Sequence, residues 1–363
     1  MLIPFDFIFS QFLSSEKLMS AEPYGSGHIH KTYQVKTNSQ QDYILQKINH
    51  KIFTNVPALQ DNIEKVLDYL KKRKDDFDNS LKMILLKNGK SYYLDAQGNY
   101  WRAFIFIPDS KTFNKIASSD LAYEGGKAFG SFLYSLQDFP VDTLYETIPE
   151  FHDLDHRMSQ FEQSVNNDTL QRLNEIETEI EFVSSRVSKM RRILELGKQN
   201  KIPLRVTHND TKINNVLFNK DDKAICVIDL DTVMPGYIHY DFGDAIRTGA
   251  ASADEDEAEL CKMFIDLELF ESYSKGFLEQ TVEFLNQTEI DELYFAPQLL
   301  TFIIALRFLT DYLNGDVYFK VDHEKHNLQR WYAQKQLLLS MEENEHEMRQ
   351  ILKKIEKDLK NKS

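Results

Sequence analysis

Two hydrophobic rhythms divide the chain. In the first hundred residues, short apolar runs rich in Tyr, Ile, Val and Phe alternate with turn residues: His30 to Lys36, Asp42 to Ile48, Ile84 to Leu86 with Tyr92 to Leu94, and Trp101 to Ile107, broken by Asn88-Gly89 and Gln97-Gly98-Asn99. This pattern predicts a small antiparallel sheet. Between its second and third runs, Leu59, Ile63, Val66, Leu67 and Leu70 recur at helical intervals and predict one helix. From about Ser118 onward the rhythm is helical. Leu121 to Leu136 is a helix with Ser118-Ser119-Asp120 as cap candidates, Thr169 to Leu196 a long charged amphipathic stretch, and Glu342 to Lys360 a surface helix running from acidic to basic, as its dipole favours. The exception is Val216 to Phe218 and Ile225 to Ile228, two short buried strands joined by the hairpin-like turn Asn219-Lys220-Asp221-Asp222-Lys223. The pattern predicts an α+β architecture in two lobes, residues 1–107 and 108–363, with Pro108-Asp109 at the boundary.

Charge and composition narrow the partners. With 43 Lys and Arg against 57 Asp and Glu, the net charge is −14, which disfavours nucleic acid or any other polyanion as a partner. A hydrophobic fraction of 42% supplies a core and excludes a disordered chain. Cys226 and Cys261 show no CxxC spacing, so neither a disulfide framework nor a structural zinc site is expected, and a reducing cytoplasm fits. The apolar start Met1 to Phe9 lacks a basic leader and contains Asp6, so it reads as packed structure. The run Leu299 to Leu306 stops at Arg307, short of the ~20 residues needed to cross a bilayer. No membrane association is expected.

The chemistry is concentrated in the exceptional segment. Thr207-His208-Asn209-Asp210-Thr211-Lys212-Ile213-Asn214-Asn215 precedes the hairpin, and Ile228-Asp229-Leu230-Asp231 follows it. His-x-Asp-x4-Asn, a hairpin, then a strand ending in Asp is the order of catalytic parts in kinases of the protein-kinase-like fold. A carboxylate must orient the attacking hydroxyl and accept its proton, while an amide oxygen and a second carboxylate hold Mg²⁺ against the nucleotide phosphates. In that order the roles fall to Asp210, Asn215 and Asp229. Taken singly, each also suits an Asx turn or a strand-end cap; the ordered set argues for chemistry. His208 reads as a support for the loop.

The chain resembles the aminoglycoside phosphotransferase and choline-kinase-like family, and within it the N-acetylhexosamine 1-kinase branch. The resemblance is carried by Glu22-Pro23-Tyr24-Gly25-Ser26-Gly27-His28-Ile29, Tyr43-Ile44-Leu45-Gln46, Phe151-His152-Asp153, Val206 to Asn215, Ile228 to Gly236, Asp241-Phe242-Gly243-Asp244 and Arg307 to Tyr312. It implies a protein-kinase-like fold and transfer of the γ-phosphoryl of ATP, with Mg²⁺, to the anomeric hydroxyl of N-acetylglucosamine or N-acetylgalactosamine. Asp210 would be the base and Asn215 and Asp229 metal ligands, Asp231 joining them through a second metal, a water or a supporting hydrogen bond. Gly25, Ser26 and Gly27 would form the turn over the phosphates, and Phe106 would lie in the segment that reads the adenine edge. His28, Arg307 and Tyr318 match substrate contacts of that branch.

Two departures stand out. Where such kinases carry a strand lysine paired with a helix glutamate, this chain has Gln46, with Lys47 turned to the other face by strand alternation; Glu64 sits where the partner carboxylate would be. Either Gln46 substitutes, or a change of register brings Lys47 in. His30 stands where relatives carry a shorter polar residue. The acceptor could instead be another sugar, choline or an aminoglycoside, an option that the acidic run Asp254 to Glu257 keeps open. A non-catalytic nucleotide-binding protein and a metal-dependent ester hydrolase are the remaining alternatives.

Overall fold

The computed structural model describes residues 5–25, 27, 29–73 and 81–361. The N-terminal part is built on a six-stranded antiparallel sheet in the order β1-β2-β3-β6-β4, with β5 also pairing β6. These strands are β1 (Leu18–Pro23), β2 (Lys31–Thr37), β3 (Tyr43–Ile48), β4 (Met83–Ile84), β5 (Tyr93–Leu94) and β6 (Tyr100–Ile105). Strand β1 and helix α1 (Phe5–Phe12) add to the elements read from the pattern. Helix α1 is too short for several turns of periodicity, but its Ile8, Phe9 and Phe12 bury against Val35, Leu45, Trp101 and Ala103 of the sheet. The run Ile84 to Leu94 forms two separate two-residue strands, each pairing with β6.

Helix α2 (Val56–Lys72) follows the 59/63/66/70 pattern. Asn55 caps it by accepting from the Ala58 N–H, and Pro57 occupies its first turn, where a missing N–H costs nothing. Its apolar face does not stay with the sheet: Leu59, Ile63 and Val66 share a core with Phe129, Phe132, Val216, Phe218 and Val227.

The C-terminal part is helical: α3 (Ser119–Ser135), α4 (Leu154–Asn167), α5 (Glu177–Met190), α6 (Arg192–Lys198), α7 (Ile238–Gly249), α8 (Leu267–Thr281), α9 (Gln287–Asp291), α10 (Ala296–Leu313), α11 (His326–Glu343) and α12 (Glu345–Lys360). Ser118 caps α3 through the Leu121 N–H. The single amphipathic run expected over Thr169 to Leu196 is broken into a one-turn 3-10 helix (Leu173–Glu175), α5 and α6. Adjacent cations end α5, because Arg191 reaches Asp155 at 2.7 Å while Arg192 reaches Glu292 at 2.5 Å. Glu342 and Glu343 likewise belong to α11, with Asn344 between the last two helices. Helix α10 is buried along its length except at Arg307 and Thr310. Among the described residues, no helix is long and apolar enough to cross a membrane.

Two small ribbons lie within this part. Strand β7 (Arg205–Thr207) pairs with β10 (Met234–Gly236), and β8 (Val216–Phe218) pairs with β9 (Ala224–Val227) as the hairpin pattern predicts. They bracket the segment that holds Asp210, Asn215 and Asp229.

Candidate active site

The loop after β7 is fixed almost entirely by buried polar contacts. Asn209 turns the chain at φ 63°, a left-handed conformation that Asn tolerates, and its side chain donates to Thr207 and to the Thr232 carbonyl. The Asp241 carboxylate on α7 accepts from the backbone N–H groups of His208 and Asn209 at 2.8 and 2.7 Å, and its carbonyl accepts from the Thr211 hydroxyl. Burial pushes the Asp241 carboxyl up to about 7, against the two N–H donors. His208 donates through Nε2 to the Ile228 carbonyl, which leaves Nδ1 to accept from the Asp210 N–H at 3.4 Å. Its ring lies edge-on to Phe129 and Phe132, and burial lowers its pKa, so neutral imidazole clamps the loop to the β9 side.

This frame brings three groups together. Asn215 donates through Nδ2 to the Asp210 carboxylate at 3.0 Å and to its carbonyl at 2.8 Å. The Ile228 N–H bonds to the Asn215 carbonyl at 2.9 Å, so hairpin pairing sets Asp229 beside Asn215. Asp229 adopts φ 62° and holds its side chain open to solvent in the cleft. Its deep surroundings and then the neighbouring Asp231 push its pKa well above the usual carboxylate range. The other Asp210 oxygen lies 3.5 Å from Lys212 Nζ, whose pKa that carboxylate raises. With Nδ2 engaged, Asn215 has its amide oxygen left to offer; with the accessible Asp229 carboxylate this makes a hard-oxygen donor set that suits Mg²⁺. His30, Asp229 and Asp231 also bring one ligand atom each within 4.8 Å of one another.

Asp231 is not open in the way Asp229 is. Its two oxygens meet Arg102 Nη1 and Nη2 at 2.6 and 2.5 Å, both side chains are 2% exposed, and His30 Nε2 lies 3.3 Å from Oδ2. Because His30 Nδ1 accepts from the Asn49 N–H, the ring proton sits on Nε2, facing the carboxylate. Burial would raise the Asp231 carboxyl, but Arg102 and His30 overcome it and hold it well below the ordinary range.

The remaining residues fall as follows. Gln46 points inward, donating to Thr32 Oγ1 at 3.0 Å and accepting from Arg102 Nε at 2.9 Å. Lys47 stays on the opposite face with Nζ 6.0 Å from the Trp101 ring centre, so no change of register brings it in. Glu64 has no hydrogen bond or ion pair among the described residues and does not meet Gln46. Gly25 takes φ 78°, which only glycine adopts freely, while Ser26 and His28 lie outside the described residues. The Phe106 N–H donates to the Asp42 carbonyl and its own carbonyl accepts from Gln41, while the Ile107 N–H has no backbone partner among the described residues.

Arg307 and Tyr318 line a cavity of about 530 Å³ together with Phe151, Arg157 and Gln160. The Arg307 guanidinium is 5.6, 5.4 and 5.4 Å from the ring centres of Phe151, Tyr318 and Phe319 and makes no ion pair among the described residues. Arg157 donates to the Phe151 carbonyl and to Gln160, with no ion pair among the described residues; burial and then the charge of Arg307 lower its pKa to about 10. This wall joins the Asp210 loop through His152, whose Nε2 lies 3.0 Å from the Asn209 carbonyl. Asp210 itself is not among the residues lining the cavity.

Sequence reasoning left Arg102, Lys212 and Arg157 without roles. Arg102 did leave a trace, a charge inside the apolar run Trp101-Arg102-Ala103-Phe104, where only a buried partner makes such a residue tolerable.

The two-lobed plan, a sheet followed by a helical part with the loop and hairpin beneath, is that of protein-kinase-like small-molecule phosphotransferases. The fold is similar to that of an aminoglycoside phosphotransferase from Alicyclobacillus acidocaldarius, at a TM-score of 0.57 and 11% identity over 99% of this chain and 97% of that one. It is also similar to a microcompartment-associated aminopropanol kinase (TM-score 0.57, 14% identity, 94% and 97% covered) and to an ethanolamine kinase from Plasmodium vivax (0.55, 15%, 91% and 85%). Residues 20–269 match the sequence model of the phosphotransferase enzyme family, and the chain belongs to that family.

Proposed function

We propose that the protein is an ATP-dependent kinase that phosphorylates the anomeric hydroxyl of N-acetylglucosamine or N-acetylgalactosamine. The observation that carries the phosphotransfer reading is the convergence of Asp210, Asn215 and Asp229 through one hydrogen bond and one hairpin register. Asp210 orients the sugar hydroxyl and takes its proton as the oxygen bonds to the γ-phosphorus and the bond to the β-phosphate oxygen breaks, releasing ADP. Asn215 and Asp229 would hold Mg²⁺, which neutralises phosphate charge, and Lys212 is a further cation beside Asp210. In this reading Gly25 and Gly27 belong to the turn over the phosphates, with Ser26 assigned there from the sequence alone, and the segment at Phe106 borders the adenine.

The acceptor end favours an uncharged sugar over an amine. Arg157 and Arg307 line the cavity with no ion pair among the described residues, and Asp311, the carboxylate that also lines it, is engaged elsewhere. Asp311 accepts from the N–H groups of Val317, Tyr318 and Phe319 and from Asn327, and Asp316 pairs with Arg172. Two guanidinium groups without an ion-pair partner among the described residues disfavour an ammonium ion and can donate to sugar and acetamido oxygens. Arg307 and Tyr318, with His28, are the sugar contacts in this reading.

A second reading, a cationic acceptor, is favoured by a cavity of about 760 Å³ lined by Lys212, Asp254, Glu255, Asp266 and Glu268. All four of those acids are engaged, Asp254 with Lys115, Glu255 with Arg247, Glu268 with Ser119, and Asp266 with the Glu268 and Leu269 N–H groups that it caps. Incubating the protein with Mg-ATP and a panel of both N-acetylhexosamines, glucosamine, choline, ethanolamine and an aminoglycoside decides between the readings. Turnover of the N-acetylhexosamines, with phosphorus and proton NMR showing a 1-phosphate, supports the first. Turnover of amines alone rejects it.

A further inference from the structure

We propose that Arg102 is the positioning cation of the nucleotide site, supplying from β6 the charge that β3 lacks at Gln46. The inference rests on the reading of the cleft as a nucleotide site and adds a residue to it.

Register makes the substitution possible. Gln46 and Arg102 are directly opposed in the β3–β6 pairing, so both side chains project from the same face of the sheet. Lys47 is excluded by its place on the other face. Hydrogen bonds then run in one chain, from Thr32 on the strand after the glycine turn through Gln46 to Arg102, and from Arg102 by a two-pronged contact to Asp231. Asp231 lies in the one-turn helix Leu230–Thr232 that begins directly after Asp229, so the chain ends at the segment presenting the open carboxylate.

The electrostatics explain why a cation is needed there. Asp210 and Asp229 face the region where a triphosphate would enter, and a carboxylate oxygen of the buried Asp231 lies within 4.8 Å of one of Asp229. Without Arg102, the buried Asp231 carboxylate would keep His30 alone as a side-chain partner among the described residues, and its charge would repel the phosphates and loosen the Asp229 segment. If only stability were at stake, a well-packed apolar pair would serve as well as two desolvated charges. The linkage between the sheet and the Asp229 segment gives the charged pair a task that an apolar pair could not perform.

The test measures Mg-ADP affinity by calorimetry, which needs no acceptor, alongside the KM for Mg-ATP, the KM for the acceptor and the melting temperature. Three variants are compared: Arg102→Gln, the neutralised pair Arg102→Gln with Asp231→Asn, and the relocated cation Gln46→Lys with Arg102→Gln. Arg102→Gln is expected to weaken Mg-ADP binding and raise the Mg-ATP KM at least tenfold with the acceptor KM unchanged. The relocated cation should recover most of that loss. The neutralised pair should regain melting temperature while its nucleotide affinity stays low. Recovery of both stability and nucleotide affinity in the neutralised pair, or unchanged affinity in folded Arg102→Gln, would overturn the proposal. Wild-type protein that binds Mg-ADP but phosphorylates nothing in the acceptor panel would instead defeat the proposed reaction and leave Arg102 readable by binding alone.

Discussion

Asp210 sits where a loop residue can act as a base without being needed for folding. Its carboxylate touches Asn215 and Lys212, and its side chain is 28% exposed. Asp210→Asn should therefore lower kcat by two or more orders of magnitude while Mg-ADP affinity stays within a few-fold of wild type; steady-state kinetics with calorimetry checks both. At the acceptor end, Arg307→Gln should raise the acceptor KM about tenfold or more with the Mg-ATP KM unmoved, read from initial rates with each substrate varied in turn. That Asp210, Asn215 and Asp229 come together was legible in the sequence, because it depends on local order: carboxylate, four residues, amide, hairpin, carboxylate. Arg102 was not, since its meaning arises only when β6 lies beside β3 and the Asp229 segment closes beneath them.

Among the elements, the pairing of α3 with α8 depends on backbone contact. A Cβ at Gly126 would lie 2.1 Å from the Tyr273 carbonyl oxygen, and one at Gly276 would lie 2.1 Å from that of Tyr123, so each helix presents a glycine to the other's backbone. Gly126→Ala or Gly276→Ala should cost about 2–3 kcal/mol and lower the melting temperature by several degrees, whereas Gly98→Ser, in an open turn, should cost less; differential scanning calorimetry separates them. Helices with regular apolar spacing, such as α2 and α3, were readable because one face carries the whole signal. Helix α1 and the break between α5 and α6 were not, because α1 is short and the break follows from Arg191 and Arg192 meeting partners remote in sequence. That α2 packs on the helical part is likewise invisible in its own periodicity, which gives a face and not what the face meets.

For the whole molecule, three buried histidines tie stability to pH. Burial holds His152 and His239 at about 4, below their ordinary 6.5, and lowers His208 as well, so all three are neutral when folded. A depressed folded-state pKa means that protons bind the unfolded chain first. This contribution is complete above about 6.5 and is lost as pH falls towards 4, by roughly 3 kcal/mol for each fully shifted ring. His239→Gln, at a ring that meets the Glu289 carbonyl and not the Asp210 loop, should flatten the fall in melting temperature between pH 6.5 and 4; an unchanged slope would remove His239 from the account. The claim on which everything else depends is that Asp229 and Asn215 hold a metal-bound nucleotide beside Asp210. Titration of ADP with Mn²⁺, followed by water-proton relaxation, reads it directly. Wild type and Asp210→Asn should form the ternary metal–nucleotide complex, and Asp229→Ala should lose it by tenfold or more. Equal binding by Asp229→Ala and wild type, or no metal-dependent binding in either, would contradict the account.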